Sequence, residues 1–236
     1  MNTRRFLLAL GGLLLLAASF AAPAAETRIP VVRPFDSIEV SGAAVVRVTQ
    51  GAAEEIVVEG EDEVQRQVQF EFSGRTLHIS PSGNWKFWNS RRVSIALTVR
   101  DLKRLSISGA ADFIVPGSMK TDNLTVEISG AGSARFDQLR ADELKFSVSG
   151  SGDGQVTGSV DRLRLRISGR SEFRGENLKT QLADVSMSGL GDVKVWVTQE
   201  LAVSVSGVGS VDYWGSPTLR RSVSGAATLN DRGPKR

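Results

Sequence analysis

The sequence predicts an all-β protein, a right-handed parallel β-solenoid with rungs of about 20 residues and a divergent, β-rich N-terminal portion that caps one end. Three observations support this fold class. A Ser-Gly pair recurs at intervals of 18 to 21 residues, apolar and polar residues alternate in front of each pair, and no repeat shows a helical period. A unit this short cannot bury its own apolar face, so successive units must stack, and parallel crossovers favour the right hand.

Each repeat is expected to contain two strands joined at a glycine corner. Residues one, three and five positions before the serine are apolar in nearly every repeat, which is the alternation of a half-buried strand. The apolar pattern resumes after the corner and then gives way to polar segments such as 117–123, 137–143 and 157–162, which we expect to form turns. The aligned pairs begin at Ser108, Ser129, Ser149, Ser168, Ser188, Ser206 and Ser224.

The glycine of each pair is predicted to be a structural corner, where the chain needs either a positive φ or a close approach to the rung below. We expect the serines to stack, with hydroxyls bonded along the ladder or to the corner backbone. The residue four positions after each serine is mostly acidic or hydroxylated, which suits hydrogen bonds that close the turn, as at Asp153. The corner glycines are Gly109, Gly130, Gly150, Gly169, Gly189, Gly207 and Gly225.

The N-terminal part of the domain is expected to be a small sheet of mixed direction that closes the apolar column of the solenoid. A strand, a corner at Ser41 and Gly42 and a second strand come first, and further strand-like segments follow. Glu61–Gln67 is the one segment that suits a short helix. The predicted boundaries are a single domain at 35–230, its divergent part at 35–100, the Ser-Gly repeats at 101–230 and a flexible tail at 231–236.

Residues 1–25 have the pattern of a secretory signal peptide. Arg4 and Arg5 precede an almost unbroken apolar run, and Ala22 to Ala24 supplies the small residues that signal peptidase accepts. The apolar run is short for a membrane span, and an uncleaved N-terminal anchor is the alternative. We therefore expect an exported protein, located in the periplasm, at the cell surface or outside the cell.

Composition excludes several classes of site. Cysteine is absent, which removes disulfides, cysteine metal sites and thiol catalysis. The net charge of +3 includes Arg4 and Arg5, and basic residues elsewhere are interleaved with acidic ones, so we expect no nucleic-acid partner. The glycine-rich segment 147–154 matches no phosphate-binding fingerprint. We expect no cofactor and no metal, and a weak calcium site at Asp153 and Glu172 is the alternative.

The chain shows no recognisable catalytic constellation, and we expect that it is not an enzyme. The acidic residues are spread along one repeat position instead of forming the paired cluster that a glycosidase needs. The sole histidine, His78, lies in an alternating strand, where a surface-facing position is the simpler interpretation. A polysaccharide-active enzyme remains the enzymatic alternative, because many parallel β-helices have that activity.

One segment breaks the repeat pattern with a concentration of aromatic and basic residues. Exposed tryptophans beside cations suit the binding of sugar rings or of a protein partner, and a structural cap on the end of the solenoid is the alternative. Tyr213 and Trp214, near the last repeat, are expected to pack at the end of the solenoid. The candidate partner-binding or glycan-binding residues are Trp85, Phe87, Trp88, Arg91 and Arg92.

The repeats, together with the segment 35–51 in front of them, resemble the head GIN domain family of bacterial envelope proteins, which is the family of putative auto-transporter adhesins. The units "ISGAGS", "SGSGD" and "SGLGDVKV" carry the resemblance, and it extends from Phe35 to Leu229. The resemblance implies a β-helical solenoid, a location outside the cytoplasm and no known catalytic residues.

The functional hypothesis is a non-enzymatic exported envelope or surface protein, an adhesin-like module that presents a rigid surface to a glycan or a protein partner. A structural or membrane-stress-sensing envelope module is the alternative. We expect no stable membrane span after cleavage of the signal peptide. Association of copies through exposed rung ends is compatible with the repeat pattern.

Overall fold

The computed structural model describes residues 26–59, 68–82 and 93–235, and this part of the chain contains 17 strands and no helix. All 17 strands belong to one curled sheet. Within these residues no helix is long and apolar enough to cross a membrane. The strands are β1 (Glu26–Ile29), β2 (Ser37–Val40), β3 (Ala44–Gln50), β4 (Glu55–Glu59), β5 (Val68–Ser73), β6 (Thr76–Pro81), β7 (Val93–Val99), β8 (Arg104–Ile107), β9 (Asp112–Lys120), β10 (Asn123–Ile128), β11 (Ser133–Val148), β12 (Asp153–Ile167), β13 (Arg170–Met187), β14 (Leu190–Val205), β15 (Val208–Trp214), β16 (Thr218–Val223) and β17 (Ala226–Asp231).

Residues 104–231 form a β-solenoid of about six turns, which confirms the predicted fold class and rung length. Successive rungs pair in parallel, and residues at the same repeat position lie opposite each other. Phe146 of β11 faces Leu165 of β12, which faces Val185 of β13 and then Val203 of β14. Because every rung repeats the same alternation, the inward side chains form continuous columns that exclude water.

The prediction of polar turns at 137–143 and 157–162 is wrong, because both segments lie inside strands. The chain bends there through shifts in register, between Phe136 and Leu139 in β11 and between Gln155 and Thr157 in β12. The backbone of each bend remains paired with the rungs on both sides. The chain therefore turns through a β-bulge within the strand and forms no loop. In the segment 117–123 only Thr121 and Asp122 lie outside the strands, between the end of β9 and the start of β10.

Small residues in one inner column make room for large residues in the neighbouring column. The rings of Phe146 and Phe173 meet edge to face, with their centroids 5.1 Å apart. Gly154 lies against both rings, and a Cβ at this position would be 2.6 Å from the Phe146 ring. The glycine therefore provides the volume that the two phenylalanines fill, as close packing of a core requires.

The corner glycines are required mainly because successive rungs approach each other closely. Gly225 has a φ of 136°, and the other six predicted corners do not have a positive φ. A Cβ on Gly150 would lie 2.1 Å from the carbonyl oxygen of Gly130, and one on Gly189 would lie 2.0 Å from that of Gly169. No side chain fits between the stacked corners, so the close-approach alternative explains the repeat of glycine.

The N-terminal part continues the stack and then closes it. The corner at Gly42 joins β2 and β3, which pair in parallel with β8 and β9. On their other side lie β6 and β7, also parallel. Antiparallel strands complete the end, since β4 pairs with β7, β1 with β4 and β5 with β6. The predicted sheet of mixed direction is thus confirmed, and the predicted helix at Glu61–Gln67 lies outside the described residues.

Candidate binding surface

The aromatic and basic residues predicted to bind a partner fall outside the described part of the chain, as does the predicted signal peptide. These residues are Trp85, Phe87, Trp88, Arg91 and Arg92. The described residues contain a different concave surface, which we call the serine groove. It has a volume of about 560 Å³, and its lining includes Ser106, Glu127, Ser129, Ser147, Ser149, Arg166, Ser168, Ser186 and Ser188.

Strand alternation puts these serines on the outside of the solenoid. Val148 points inward and is buried, so Ser147 before it and Ser149 after it both point outward. The parallel register stacks the equivalent residues of neighbouring rungs, which lie about 4.8 Å apart. Two columns of outward side chains, most of them serines, therefore run along the solenoid axis, and Ile128, Val148 and Ile167 between them complete the lining of the groove.

The hydroxyls of the serine groove have spare hydrogen-bonding capacity. In the corner column, Ser129 Oγ lies 3.5 Å from the carbonyl oxygen of Ile107, and Ser168 Oγ lies 3.4 Å from that of Val148. These contacts fit the prediction of bonding to the corner backbone, but they are long. In the other column, Ser147 makes no side-chain hydrogen bond to the described residues. A ligand lying in the groove could therefore reach both rows of hydroxyls.

Two charged side chains interrupt the serine column. Glu127 and Arg166 stand on either side of Ser147 in the ladder. Arg104 contacts Glu127, with 2.8 Å between Nη1 and Oε2, whereas Arg166 has no ion pair within the described residues. The middle of the groove thus combines hydroxyls with an exposed guanidinium that can bind an anionic or a polyhydroxylated group.

The groove continues toward the N-terminal part of the molecule. A second depression of about 530 Å³ shares Ser106 with the serine groove and is also lined by Glu39, Glu71 and His78. His78 lies on the outer face of β6, as the alternation predicts, and its Nδ1 is 3.0 Å from Glu39 Oε2. The polar surface therefore extends from the serine columns of the repeats to the first rungs of the stack.

The residues four positions after each serine act between rungs, which corrects the prediction that they close their own turn. Asp153 Oδ1 accepts a hydrogen bond from the backbone N–H of Glu172 in the next rung, at 2.9 Å. Ser133 Oγ donates to Asp112 Oδ1 of the preceding rung, at 2.7 Å. Equivalent positions of neighbouring rungs lie opposite each other in the ladder, so these side chains bond to the adjacent rung.

Glu172 is held in its charged form by two neighbouring cations. A hydrogen bond from Arg174 lowers the pKa of Glu172 most, burial opposes this effect, and a hydrogen bond from Lys194 adds to it, so that the pKa is about 2. The interaction with Lys194 spans 3.2 Å and links neighbouring rungs. Among the described residues, no group of three acidic, histidine or cysteine side chains could hold a metal ion.

A pair of tryptophans, Trp196 and Trp214, forms a second feature. The sequence analysis singled out Trp214 but not Trp196. Trp196 of β14 lies opposite Trp214 of β15, and both side chains are half-buried. The ammonium of Lys235 lies 5.3 Å from the Trp196 ring centroid and 5.5 Å from that of Trp214. The two tryptophans are 18 residues apart, which is the spacing of the last repeats, and that spacing was the available signal.

The comparison with protein families decides the identity of the fold. Residues 34–217 match the family model described as "Putative auto-transporter adhesin, head GIN domain". The chain belongs to the head GIN domain family. The matched range covers both the N-terminal sheet and most of the solenoid, which agrees with the predicted resemblance. In a comparison with curated proteins, no sequence matched significantly.

Solved structures share the head GIN architecture over nearly their full length. A putative adhesin from Bacteroides fragilis NCTC 9343 is 25% identical, with a TM-score of 0.83, and the match covers 89% of this chain and 97% of that one. A putative adhesin from Parabacteroides merdae ATCC 43184 is 17% identical, with a TM-score of 0.69 and coverages of 91% and 97%. A putative lipid binding protein from Parabacteroides distasonis ATCC 8503 is 22% identical, with a TM-score of 0.68 and the same coverages. The last two likenesses concern the fold alone.

Proposed function

We propose that this head GIN protein is a non-enzymatic exported envelope or surface module that binds a glycan along its solenoid. The observation that carries the proposal is the serine groove, in which two columns of outward serines follow the solenoid axis. A polysaccharide is a linear ligand with hydroxyls along its length. A groove with regularly spaced hydroxyls can bind successive sugars through similar contacts, so affinity accumulates with chain length.

Arg166 gives the proposed site a preference for acidic sugars. Its guanidinium lies between Ser147 and Ser186 in the ladder and is exposed. A guanidinium binds a carboxylate or phosphate through two parallel hydrogen bonds, which a serine cannot do. An acidic envelope polysaccharide would therefore contact the serines with its hydroxyls and Arg166 with its anionic groups.

The predicted aromatic segment is retained as a second contact region. Trp85 and Trp88 have the chemistry to stack against sugar rings, and Arg91 and Arg92 add positive charge beside them. The adhesin naming of the family and the signal-like segment 1–25 support export. Fractionation of cells that produce the full chain tests this part, because a protein found only in the cytoplasm would contradict it.

Binding to immobilised polysaccharides tests the groove directly. The probes are purified bacterial lipopolysaccharide, peptidoglycan and a neutral dextran, measured by biolayer interferometry. The double variant Ser147→Gln and Ser186→Gln fills the groove with longer side chains and should weaken binding about tenfold. Ser159→Gln is the matched control, because Ser159 is an exposed serine of β12 outside the groove. Arg166→Glu should weaken the acidic probes more than dextran.

Several outcomes would contradict the proposal. Equal binding by the groove variant and the Ser159 control would exclude the groove, and unchanged binding after Trp85→Ala and Trp88→Ala would exclude the aromatic segment. Release of new reducing ends from a probe would instead indicate an enzyme. If no probe binds and cross-linking captures an envelope protein, the structural or stress-sensing alternative replaces glycan binding.

A further inference from the structure

We infer that Trp196, Trp214, Glu176 and Asn177 form a binding site for a primary ammonium group, which Lys235 of the same chain occupies. The site lies on the last three full rungs and shares no residue with the serine groove. Binding of an ammonium group there is a separate activity from the proposed binding of a glycan. The ligand class that we assign is a primary alkylammonium ion, which competes with Lys235 for the site.

The contacts of Lys235 define the chemistry of the site. The ammonium lies over both indole rings, at distances within the range of cation–π attraction. It also donates hydrogen bonds to the backbone carbonyl of Glu176 and to Asn177 Oδ1, the latter at 2.7 Å. Two aromatic faces and two acceptors surround one cation. This arrangement suits a group with N–H donors better than a quaternary ammonium, which has none.

A bulge in β13 creates the polar side of the site. The register between β13 and β14 shifts between Gly175 and Lys179, so Glu176 and Asn177 have no opposite residue in β14, and both contact Lys235. A bulge interrupts ladder pairing, which leaves the carbonyl of Glu176 free to accept from a ligand.

The carboxylate of Glu176 also has an oxygen that accepts no hydrogen bond from Lys235. Its Oε2 is buried and has no hydrogen-bond partner among the described residues. Burial lowers the pKa of Lys235 below its usual value, and the negative charge of Glu176 opposes this shift only in part. A buried carboxylate oxygen without a donor is unfavourable, and a small ammonium ion with three N–H donors can satisfy it. The site therefore contains an acceptor that the hydrogen bonds of Lys235 leave unsatisfied.

The tether keeps Lys235 in place by contacts that precede it. The backbone N–H of Arg232 donates to the carbonyl of Tyr213, at 2.9 Å, and that of Gly215 donates to the carbonyl of Gly233, at 3.0 Å. A tethered group competes at an effective concentration that is commonly in the millimolar range. A free amine must overcome this concentration, so removal of the Lys235 ammonium should expose the site.

NMR of the indole N–H groups tests the inference, with ethylammonium chloride as the probe. The chain has four tryptophans, and Trp196→Phe and Trp214→Phe assign the two relevant signals. In Lys235→Met, ethylammonium should shift both signals with an affinity about tenfold higher than in the unaltered chain. Tetramethylammonium should bind more weakly, and n-propanol and sodium chloride should leave the signals unchanged. The double variant Lys235→Met and Trp196→Ala should lose the response.

The unaltered chain supplies a measurement that does not depend on a variant. The ε-methylene protons of Lys235 should show an upfield ring-current shift, which saturating ethylammonium should remove. Vesicles that contain phosphatidylethanolamine, compared with phosphatidylglycerol, show whether a lipid headgroup can supply the ammonium in addition to a soluble amine. The inference is overturned if Lys235 shows no ring-current shift, or if ethylammonium moves the indole signals no more than n-propanol does.

Discussion

The two ends of the solenoid are built differently. At the N-terminal end the antiparallel strands β1, β4 and β5 cover the last parallel rung, and Val58 of β4 is 1% exposed. At the other end β16 and β17 form a rung with no strand beyond it in the described structure, and Val223 of β16 is 42% exposed. The same repeat chemistry is thus closed by a cap at one end and by an exposed rung at the other.

This difference shows which interactions need neighbours on both sides. An interior rung pairs with a rung on each side. A substitution that does not fit there therefore forces the neighbouring rungs to move as well. The terminal rung can move away from the stack at a smaller cost, since each rung contacts only its neighbours. Substitutions of the same chemical type should therefore have graded effects along the solenoid, and the following variants test that gradient.

The largest effect is expected at an interior corner. In Gly189→Ala the new Cβ would lie 2.0 Å from the carbonyl oxygen of Gly169, and rungs on both sides prevent relief, so we expect a loss of about 4 kcal/mol in the free energy of unfolding. Gly225→Ala adds the strain of an alanine at a φ of 136° to a Cβ 2.4 Å from the carbonyl oxygen of Gly207, but the terminal rung can shift outward, so this variant should still cost less. Gly117→Ala is the control, with open space around its Cβ, and should change stability by about 0.5 kcal/mol or less.

Urea denaturation of the three glycine variants gives the measurement. The expected order of destabilisation is Gly189→Ala, then Gly225→Ala, then Gly117→Ala. A larger loss at Gly225 than at Gly189 would mean that the terminal rung is held as firmly as the interior, because the strain of the positive φ would then add to an equal steric cost. That result would remove the distinction between the interior and the exposed end.

The second effect compares one substitution at the two ends. Val58→Ala removes two buried methyl groups from the N-terminal cap, where β1 and β7 flank the residue, and should cost about 2 kcal/mol. Val223→Ala removes the same groups from a side chain that is already 42% exposed, and should cost less, about 0.5 kcal/mol. Thermal and urea unfolding measure both, and equal losses would show that the terminal rung is covered in solution.

The third effect is an acid-sensitive ion pair that ties the N-terminal part to the repeats. Burial raises the pKa of Asp36, but hydrogen bonds from Arg75 and Ser37 and the charges of Arg75 and Lys103 hold it below the usual 3.8. The carboxylate therefore stabilises the fold above that value, and the contribution is lost as the pH falls toward the lower pKa of the folded state. Asp36→Asn should lower the free energy of unfolding at pH 7 by about 1 to 2 kcal/mol.

Two comparisons check the assignment to Asp36. The difference between Asp36→Asn and the unaltered chain should shrink as the pH falls below 3.8, because the unfolded chain then takes up a proton that the folded chain, with its lower pKa at Asp36, still lacks. Asp212→Asn removes a similar pair, formed with Asn230 and Arg232 at the other end. It should increase hydrogen exchange in β17 with little change in global stability. A pH-independent difference at Asp36 would contradict the electrostatic explanation.

Sequence reasoning identified the repeat and the corner glycines because both depend on local periodicity. It could not choose between positive φ and close approach at Gly150, since that choice depends on the position of Gly130 in another rung. The segment 137–143 was predicted to be a turn because a polar segment without alternation has the same sequence pattern in a loop and in a bend whose backbone is paired. The serine groove and the Lys235 site escaped it for the same reason, because each joins residues of several rungs.

The smallest effect on stability, and the most specific test of the exposed end, concerns Arg221. Six rungs carry an apolar residue three positions before the serine, and in the terminal rung this position is Arg221, which faces Val203 in the ladder. A charged side chain at the end of an apolar column discourages the edge strand from pairing with another copy.

Arg221→Leu should leave unfolding nearly unchanged and should produce concentration-dependent association, measured by sedimentation velocity. Arg220→Leu, at the adjacent outward position, is the control and should remain like the unaltered chain. Association of both variants to the same extent would indicate that any added leucine is sufficient, and the position in the column would then not matter.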